Sequence, residues 1–183
     1  STCYRKLNLS NNESALVFDI GYNGTVISVV KRDKNVFRSI ANKYINGIGG
    51  RVFCNMIYSD MEEQSKIQYD SFAQIIQVQN IDRVSRMIME CLSTKEYVVT
   101  SVPFTDYIYS ISRKEFNGMI NKPLEESLNE CLNCIKDSGN SMGEIKKILL
   151  TGGCSQIPYI EKILKIFFNT EKKKKKDVIT PKC

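Results

Sequence analysis

Leu16-Val17-Phe18-Asp19-Ile20-Gly21-Tyr22-Asn23-Gly24-Thr25 runs an apolar strand into a turn bounded by two glycines. Ile148-Leu149-Leu150-Thr151-Gly152-Gly153-Cys154-Ser155-Gln156-Ile157-Pro158 repeats that arrangement near the other end. Glycine turns let backbone N–H groups approach a ligand because no Cβ intervenes, and they reach positive φ cheaply. Two such turns flanking one cleft suit a phosphorylated ligand.

Outward from the first turn, Ala15 to Ile20 reads as a buried strand, Thr25 to Lys31 as its hairpin partner, and Val36 to Ala41 as a third strand after the Arg32-Asp33-Lys34-Asn35 turn. Asn46-Gly47-Ile48-Gly49-Gly50 ends this meander. From Arg51 to about Leu92 apolar residues fall at helical spacing, as in Phe53, Met56, Ile57, then Phe72, Ile75, Ile76, then Val84, Met87, Ile88, so two or three helices are expected. Tyr97 to Phe104 and Tyr107 to Ser110 return to β character, with Pro103 as a break. Ser112-Arg113-Lys114-Glu115 is a capping box that opens a long helix through Phe116, Ile120, Leu124, Leu128, Cys131 or Leu132, and Ile135, closed by Gly139. Pro123 inside it implies a kink or a restart. Ser141 to Glu144 repeats the capping pattern, Ile148 to Thr151 is a strand, and Ile157-Pro158 opens an amphipathic last helix through Ile160, Ile163, Leu164, Phe167 and Phe168. The class is α/β.

At 183 residues the chain is one domain or two small subdomains, long enough to bury a core. No apolar run approaches the roughly 20 residues of a membrane span, and Ser1 to Ser10 is too polar for a signal peptide. The first residue is not methionine and the chain stops abruptly at Pro181-Lys182-Cys183, which suggests a piece of something longer. Five of its 26 basic residues lie in one run, Lys172 to Lys176, without interleaved aromatics, so that run reads as a solvated, self-repelling loop rather than a contact for nucleic acid or acidic lipid.

With no histidine, a Ser/His/Asp triad, a Cys/His dyad and a Cys/His zinc site are all excluded. Seven cysteines without a secretory signal point to a reducing compartment. The lone CxxC of Cys131 and Cys134 falls within a helical pattern, and these thiols, like Cys91 and Cys154, read as small buried residues.

The ordered set Phe18-Asp19-Ile20-Gly21, Ile48-Gly49-Gly50-x-x-Phe53, Ile111-Ser112-Arg113-x-x-Phe116 and Leu149-Leu150-Thr151-Gly152-Gly153-x-x-x-Ile157-Pro158 resembles the 70-kilodalton heat-shock protein chaperones, in the second lobe of their nucleotide-binding domain. The resemblance implies an actin-like ATPase (ribonuclease-H-like) lobe: a β-meander with flanking helices at residues 1–50 and 111–183, and a smaller inserted α+β subdomain at 51–110. It implies ATP or ADP with magnesium as cofactor, and no direct metal ligand from this lobe. As partners it implies the first lobe of the same domain, co-chaperones or nucleotide-exchange factors, and unfolded polypeptides through a parent chain, with neither membrane nor nucleic acid. A cytoplasmic protein of the stress response is the corresponding setting. Ser1 to Leu7, with Tyr4, resembles the tail of the helix connecting the lobes.

Position by position, the resemblance also shows departures. The family's phosphate loop follows the aspartate with three glycines and a threonine, whereas this chain has Gly21, Tyr22, Asn23 and Gly24, with Thr25 one place late. A Tyr side chain there is expected to clash with phosphate or displace the loop. Gly49-Gly50, normally followed by an acidic residue, precedes Arg51. On the nucleoside-holding helix, Arg86, Met89, Glu90 and Ser93 stand where Glu, Lys, Arg and Ser are usual. Gly152 and Gly153 are retained, Cys154 is small, and Gln156 replaces a stacking arginine, losing a cation–π contribution of about 0.5–2 kcal/mol. Asp19 carries two readings, a carboxylate in the magnesium-water shell or a cap for the hairpin turn.

Three functions are therefore in play: a divergent chaperone lobe with weak nucleotide binding, an active ATPase completed by the first lobe, and an actin-like or sugar-kinase-like module with another ligand. Ser112-Arg113-x-x-Phe116 and the helix after it disfavour the third.

Overall fold

The computed structural model describes residues 7–68, 74–170 and 177–180. Tyr4, Phe72, the Lys172 to Lys176 run and the Pro181-Lys182-Cys183 end lie outside them. Seven strands and four helices follow in the order β1 (Ser14–Ile20), β2 (Gly24–Asp33), β3 (Val36–Asn46), α1 (Gly50–Ser65), α2 (Gln74–Leu92), β4 (Tyr97–Ser101), β5 (Ile108–Ser112), α3 (Arg113–Asp137), β6 (Ile145–Thr151), α4 (Pro158–Thr170) and β7 (Asp177–Ile179) among the described residues. A 3-10 turn, Gly153–Gln156, joins β6 to α4.

The described residues divide into two compact units: those up to Gly50 with those from Pro123 onward, and Arg51–Lys122. The second boundary falls inside α3, whereas the sequence-based division places it at residue 110. The difference follows from the unbroken helix. Pro123 lacks an N–H but does not end α3, which runs on as one element, so packing and not a loop separates its halves.

In the larger unit β1 is central. It pairs antiparallel with β2 from Ser14↔Lys31 to Ile20↔Thr25 and parallel with β6 from Ala15↔Lys147 to Asp19↔Thr151, giving the order β3-β2-β1-β6-β7. Leu16, Phe18 and Ile20 alternate along β1 with Ala15 and Val17, and all five are buried, so both faces of the sheet are covered. On one face Ala15, Val17, Val30 and Leu149 pack with Leu7 and Leu9, flanked by Phe37 and Ile179. Leu128, Cys131, Cys134 and Ile135 of α3 and Ile160, Leu164 and Phe168 of α4 are buried in the same unit. The Cys134 thiol donates weakly to the Ile27 carbonyl of β2, at 3.7 Å. Burial raises the Cys131 and Cys134 thiols above the usual cysteine range, as expected of packing residues. This is the α/β lobe architecture expected from the sequence.

The smaller unit buries Phe53, Ile57 and Met61 of α1 with Ile81, Ile88 and Leu92 of α2, Val98, Tyr109 and Ile111 of the β4–β5 hairpin, and Phe116 and Ile120 of α3. The capping box forms as written. Ser112 N–H and Oγ donate to Glu115 Oε2 at 2.8 and 2.6 Å, and Glu115 N–H donates to Ser112 Oγ at 3.2 Å. The Ser112 hydroxyl first, and its N–H second, hold the Glu115 carboxyl below its ordinary value. A depressed folded value means that this stabilisation is present above the unfolded carboxyl range and is lost as pH falls through the folded one. Ser112→Ala is expected to cost about 1 kcal/mol at neutral pH and less in acid, read by urea denaturation at both. Ser141 and Glu144 make the same side-chain bond at 2.7 Å, but it closes a turn leading into β6, not a helix.

Candidate functional site

β1 and β6 are parallel neighbours, so their C-terminal ends emerge side by side, and both glycine turns of the sequence follow there. Backbone bonds hold the first: Gly21 N–H donates to Gly24 O at 3.0 Å, and Gly21 O accepts from Gly50 N–H at 3.0 Å where α1 begins. Gly49 sits so close that a Cβ on it would lie 2.6 Å from Gly21 O and 3.0 Å from Gly24 N. The Asp19, Gly21–Gly24, Gly49–Gly50 and Gly152–Cys154 positions thus meet within the larger unit.

The glycines serve differently from the expectation. Among them only Gly152 has positive φ, 90° with ψ 164°, and its absent Cβ would meet the Ile20 carbonyl oxygen and lie 2.5 Å from Asp19 Oδ1. Gly21, Gly24, Gly49 and Gly50 adopt negative φ, and the last three are required by close approach. Gly153 has open space where a Cβ would be.

Tyr22 does not project away from the site. Its Cδ2 lies 3.0 Å from where a Gly50 Cβ would be, and Cys154 Sγ lies 2.9 Å from the same point, so the tyrosine ring edge and the thiol both press on the start of α1. The thiol donates to Gly21 O at 3.5 Å, and burial pushes its pKa up to about 11, so Cys154 is a packing group and not a nucleophile. Asn23 is exposed at the tip. Thr25 departs from its expected place among the loop's ligands: fully buried, it donates its hydroxyl to the Ile48 carbonyl at 2.7 Å. The reason is register. Thr25 opposes Ile20 in the β1–β2 ladder, which turns its side chain inward.

Asp19 is partly buried, with its carboxylate against Gly152, and burial raises its pKa above the ordinary aspartate value. A raised folded value favours the protonated native state. Its contribution is fully present below the unfolded pKa and is lost as pH rises through the folded one. Asp19→Asn is therefore expected to gain stability relative to the native chain as pH rises from about 3 to 7, measured by urea denaturation across that range.

Of the helical candidates in the smaller unit, Arg86, Met89 and Glu90 lie on α2 and Ser93 lies just past its end. Arg86 is exposed and pairs with Asp82 at 3.9 Å, and Glu90 is exposed. Ser93 is half-buried, its hydroxyl donating to Met89 O at 3.3 Å. Met89 is corrected: it is buried, and its sulfur accepts from the Cys54 thiol at 3.8 Å, because it shares the inward face of α2 with Ser85 and Ile88. In the larger unit Gln156 is exposed, with its amide donating to Ser155 Oγ at 3.4 Å.

Tyr44 was missed from sequence. It stands opposite Val26 on β3, and its hydroxyl and Cε2 lie 2.7 and 2.9 Å from where a Gly24 Cβ would be, so Gly24 is small to admit it. Only the non-local β2–β3 register reveals this. Among the described residues no group of three or more His, Cys, Asp or Glu could hold a metal ion, and no helix is long and apolar enough to cross a membrane.

The model of the Hsp70 protein family matches residues 5–180. Among curated proteins, the chain is 25% identical over 165 residues to chaperone protein HscA of Buchnera aphidicola subsp. Baizongia pistaciae, covering 88% of this chain and 31% of that protein. It is 24% identical over 159 residues to the HscA homolog of Actinobacillus pleuropneumoniae serotype 5b, covering 85% and 24%, and 27% identical over 155 residues to that of Pasteurella multocida, again 85% and 24%. The chain thus spans between about a quarter and a third of the length of these relatives.

Proposed function

The chain belongs to the Hsp70 family, and from that premise we propose that it is the second lobe of the nucleotide-binding domain of a divergent chaperone whose ATP site is degenerate. The observation that carries this is Tyr22. A helix N-terminus offers backbone N–H groups and the positive end of its dipole to a phosphate. Beside the start of α1 stand the Tyr22 ring edge and Cys154 Sγ, 3.0 and 2.9 Å from where a Gly50 Cβ would be, while the Gly50 N–H is engaged by Gly21 O. The Thr25 hydroxyl is committed to Ile48. A phosphate does not fit this turn without displacing the ring.

Proteins of this family use ATP or ADP with magnesium, and in this lobe Asp19 would face the metal's water shell while Gly153, with open space over it, would pass the nucleoside. Gln156 of the larger unit and, by family resemblance, Arg86, Glu90 and Ser93 of the smaller one are the other nucleoside-binding candidates, and Gln156 lacks the cation–π contribution of the usual arginine. The parent assists protein folding in the cytoplasm, with co-chaperones or exchange factors and unfolded polypeptides as partners, and its nucleotide response is weak. A second reading, an ATP-hydrolysing chaperone completed by a first lobe, is favoured by the retained Asp19 carboxylate and the open Gly153.

The experiment is Tyr22→Gly in a two-lobe nucleotide-binding domain containing this chain, titrated with ATP and magnesium. Removal of the ring is expected to tighten ATP at least about tenfold, worth ~1.4 kcal/mol. Unchanged affinity would show that the ring is no obstruction.

A further inference from the structure

The smaller unit carries a groove unrelated to the glycine turns. It is about 470 Å³, and it is lined by Val52, Met56, Asp60 and Glu63, a stripe of α1 at three- and four-residue steps, with the polar Asn55 and Ser59 beside that stripe and Met119 of α3. The core-facing stripe of α1 is a different one, Phe53, Ile57 and Met61. A second stripe with apolar members that borders solvent is not required by the core.

Its charge is ordered along the helix. The N-terminal part of the stripe is apolar, and the C-terminal part is acidic, where the helix dipole is already negative; the last turn of α1 holds no basic residue, and Lys66 follows just past it, its N–H donating to Glu62 O at 3.0 Å. Arg51 stands at the opposite, positive end. Within α1 the charges at both ends therefore run against the dipole, and a cation brought beside Asp60 and Glu63 adds to the charge of Lys66 just past the helix. Asp60 is fixed in orientation: Tyr109 Oη and Gln64 Nε2 both donate to its Oδ2.

We propose that this groove docks a basic amphipathic polypeptide segment of a partner protein. Lysine and arginine stems lie along methionine surfaces while their heads reach carboxylates, and methionine adapts to varied apolar side chains. From Val52 to Glu63 the stripe extends roughly 17 Å, longer than one side chain, which favours a peptide over a small amine. Nucleic acid and anionic lipid are disfavoured by the acidic end.

The test uses the whole chain labelled with 13C-methyl methionine, titrated with a synthetic amphipathic Lys/Leu peptide and with its Glu/Leu counterpart. The Lys/Leu peptide is expected to shift the Met56 and Met119 methyl resonances and leave the buried Met61 and Met89 unmoved. Glu63 is exposed, so Glu63→Lys leaves the fold intact; it is expected to weaken the peptide about tenfold, and Glu63→Gln about threefold. The proposal is overturned if Met56 and Met119 do not shift at millimolar peptide, if exposed Met87 responds instead, if Glu63→Lys binds as well as the native chain, or if the Glu/Leu peptide binds equally.

Discussion

Gly152→Ala is expected to cost about 3–5 kcal/mol, a large share of the stability of a domain this size. Two effects add. At φ 90° and ψ 164° the backbone lies in a region essentially restricted to glycine. The new methyl would also press on the Ile20 carbonyl and approach Asp19 Oδ1 to 2.5 Å, at the point where β1 and β6 run side by side. Neither neighbour moves easily, since one is backbone of the central strand and the other is partly buried. Gly153→Ala is the internal control, because nothing lies within 4 Å of its Cβ position, and it should change stability by under ~1 kcal/mol. Urea denaturation of the two variants reads the difference. A Gly152→Ala chain as stable as the Gly153→Ala chain contradicts the close approach of β6 to β1.

Gly49→Ala is expected to cost about 2–4 kcal/mol by a purely steric route, since its φ is not positive. Its Cβ would lie 2.6 Å from Gly21 O, 2.9 Å from Tyr22 O and 3.0 Å from Gly24 N, so three backbone atoms of the turn must move together. Moving them breaks the Gly50 N–H to Gly21 O bond and lifts Tyr22 from Gly50. The amide resonances of Gly21 to Gly24 should therefore shift along with the loss of stability. A destabilised variant with unmoved turn resonances would place the strain elsewhere.

Strong local signals carried most of the fold. The β-branched run of Thr25 to Lys31 identifies β2, Ser112 with Glu115 marks the start of α3 through a bond that needs only four residues, and Pro158 opens α4. Elements whose cause is distant were less legible. β3 continues from Ala41 to Asn46, where Asn42, Lys43 and Asn46 are polar, because it is an edge strand held by pairing with β2 as far as Gly24↔Asn46. β5 extends to Ser112, beyond Ser110, by pairing with Tyr97 of β4. β7 is three residues paired in parallel to β6, too short for any periodicity to register.

The site divides in the same way. Asp19, Gly21 and Gly152 are legible as strand ends because an apolar run stopping at glycine is a local pattern, although the crowding that requires Gly152 comes from Asp19 and Ile20 on the neighbouring strand. The inward turn of Thr25, the burial of Met89 and the seat of Tyr44 over Gly24 are set by register and helix rotation, which no short motif encodes.

Calorimetry of ATP with magnesium on the two-lobe domain containing this chain tests the proposed obstruction of the phosphate turn by Tyr22. Binding weaker than about 100 µM, or ~5.5 kcal/mol, is expected. Micromolar or tighter binding, with turnover abolished by Asp19→Asn, would contradict it.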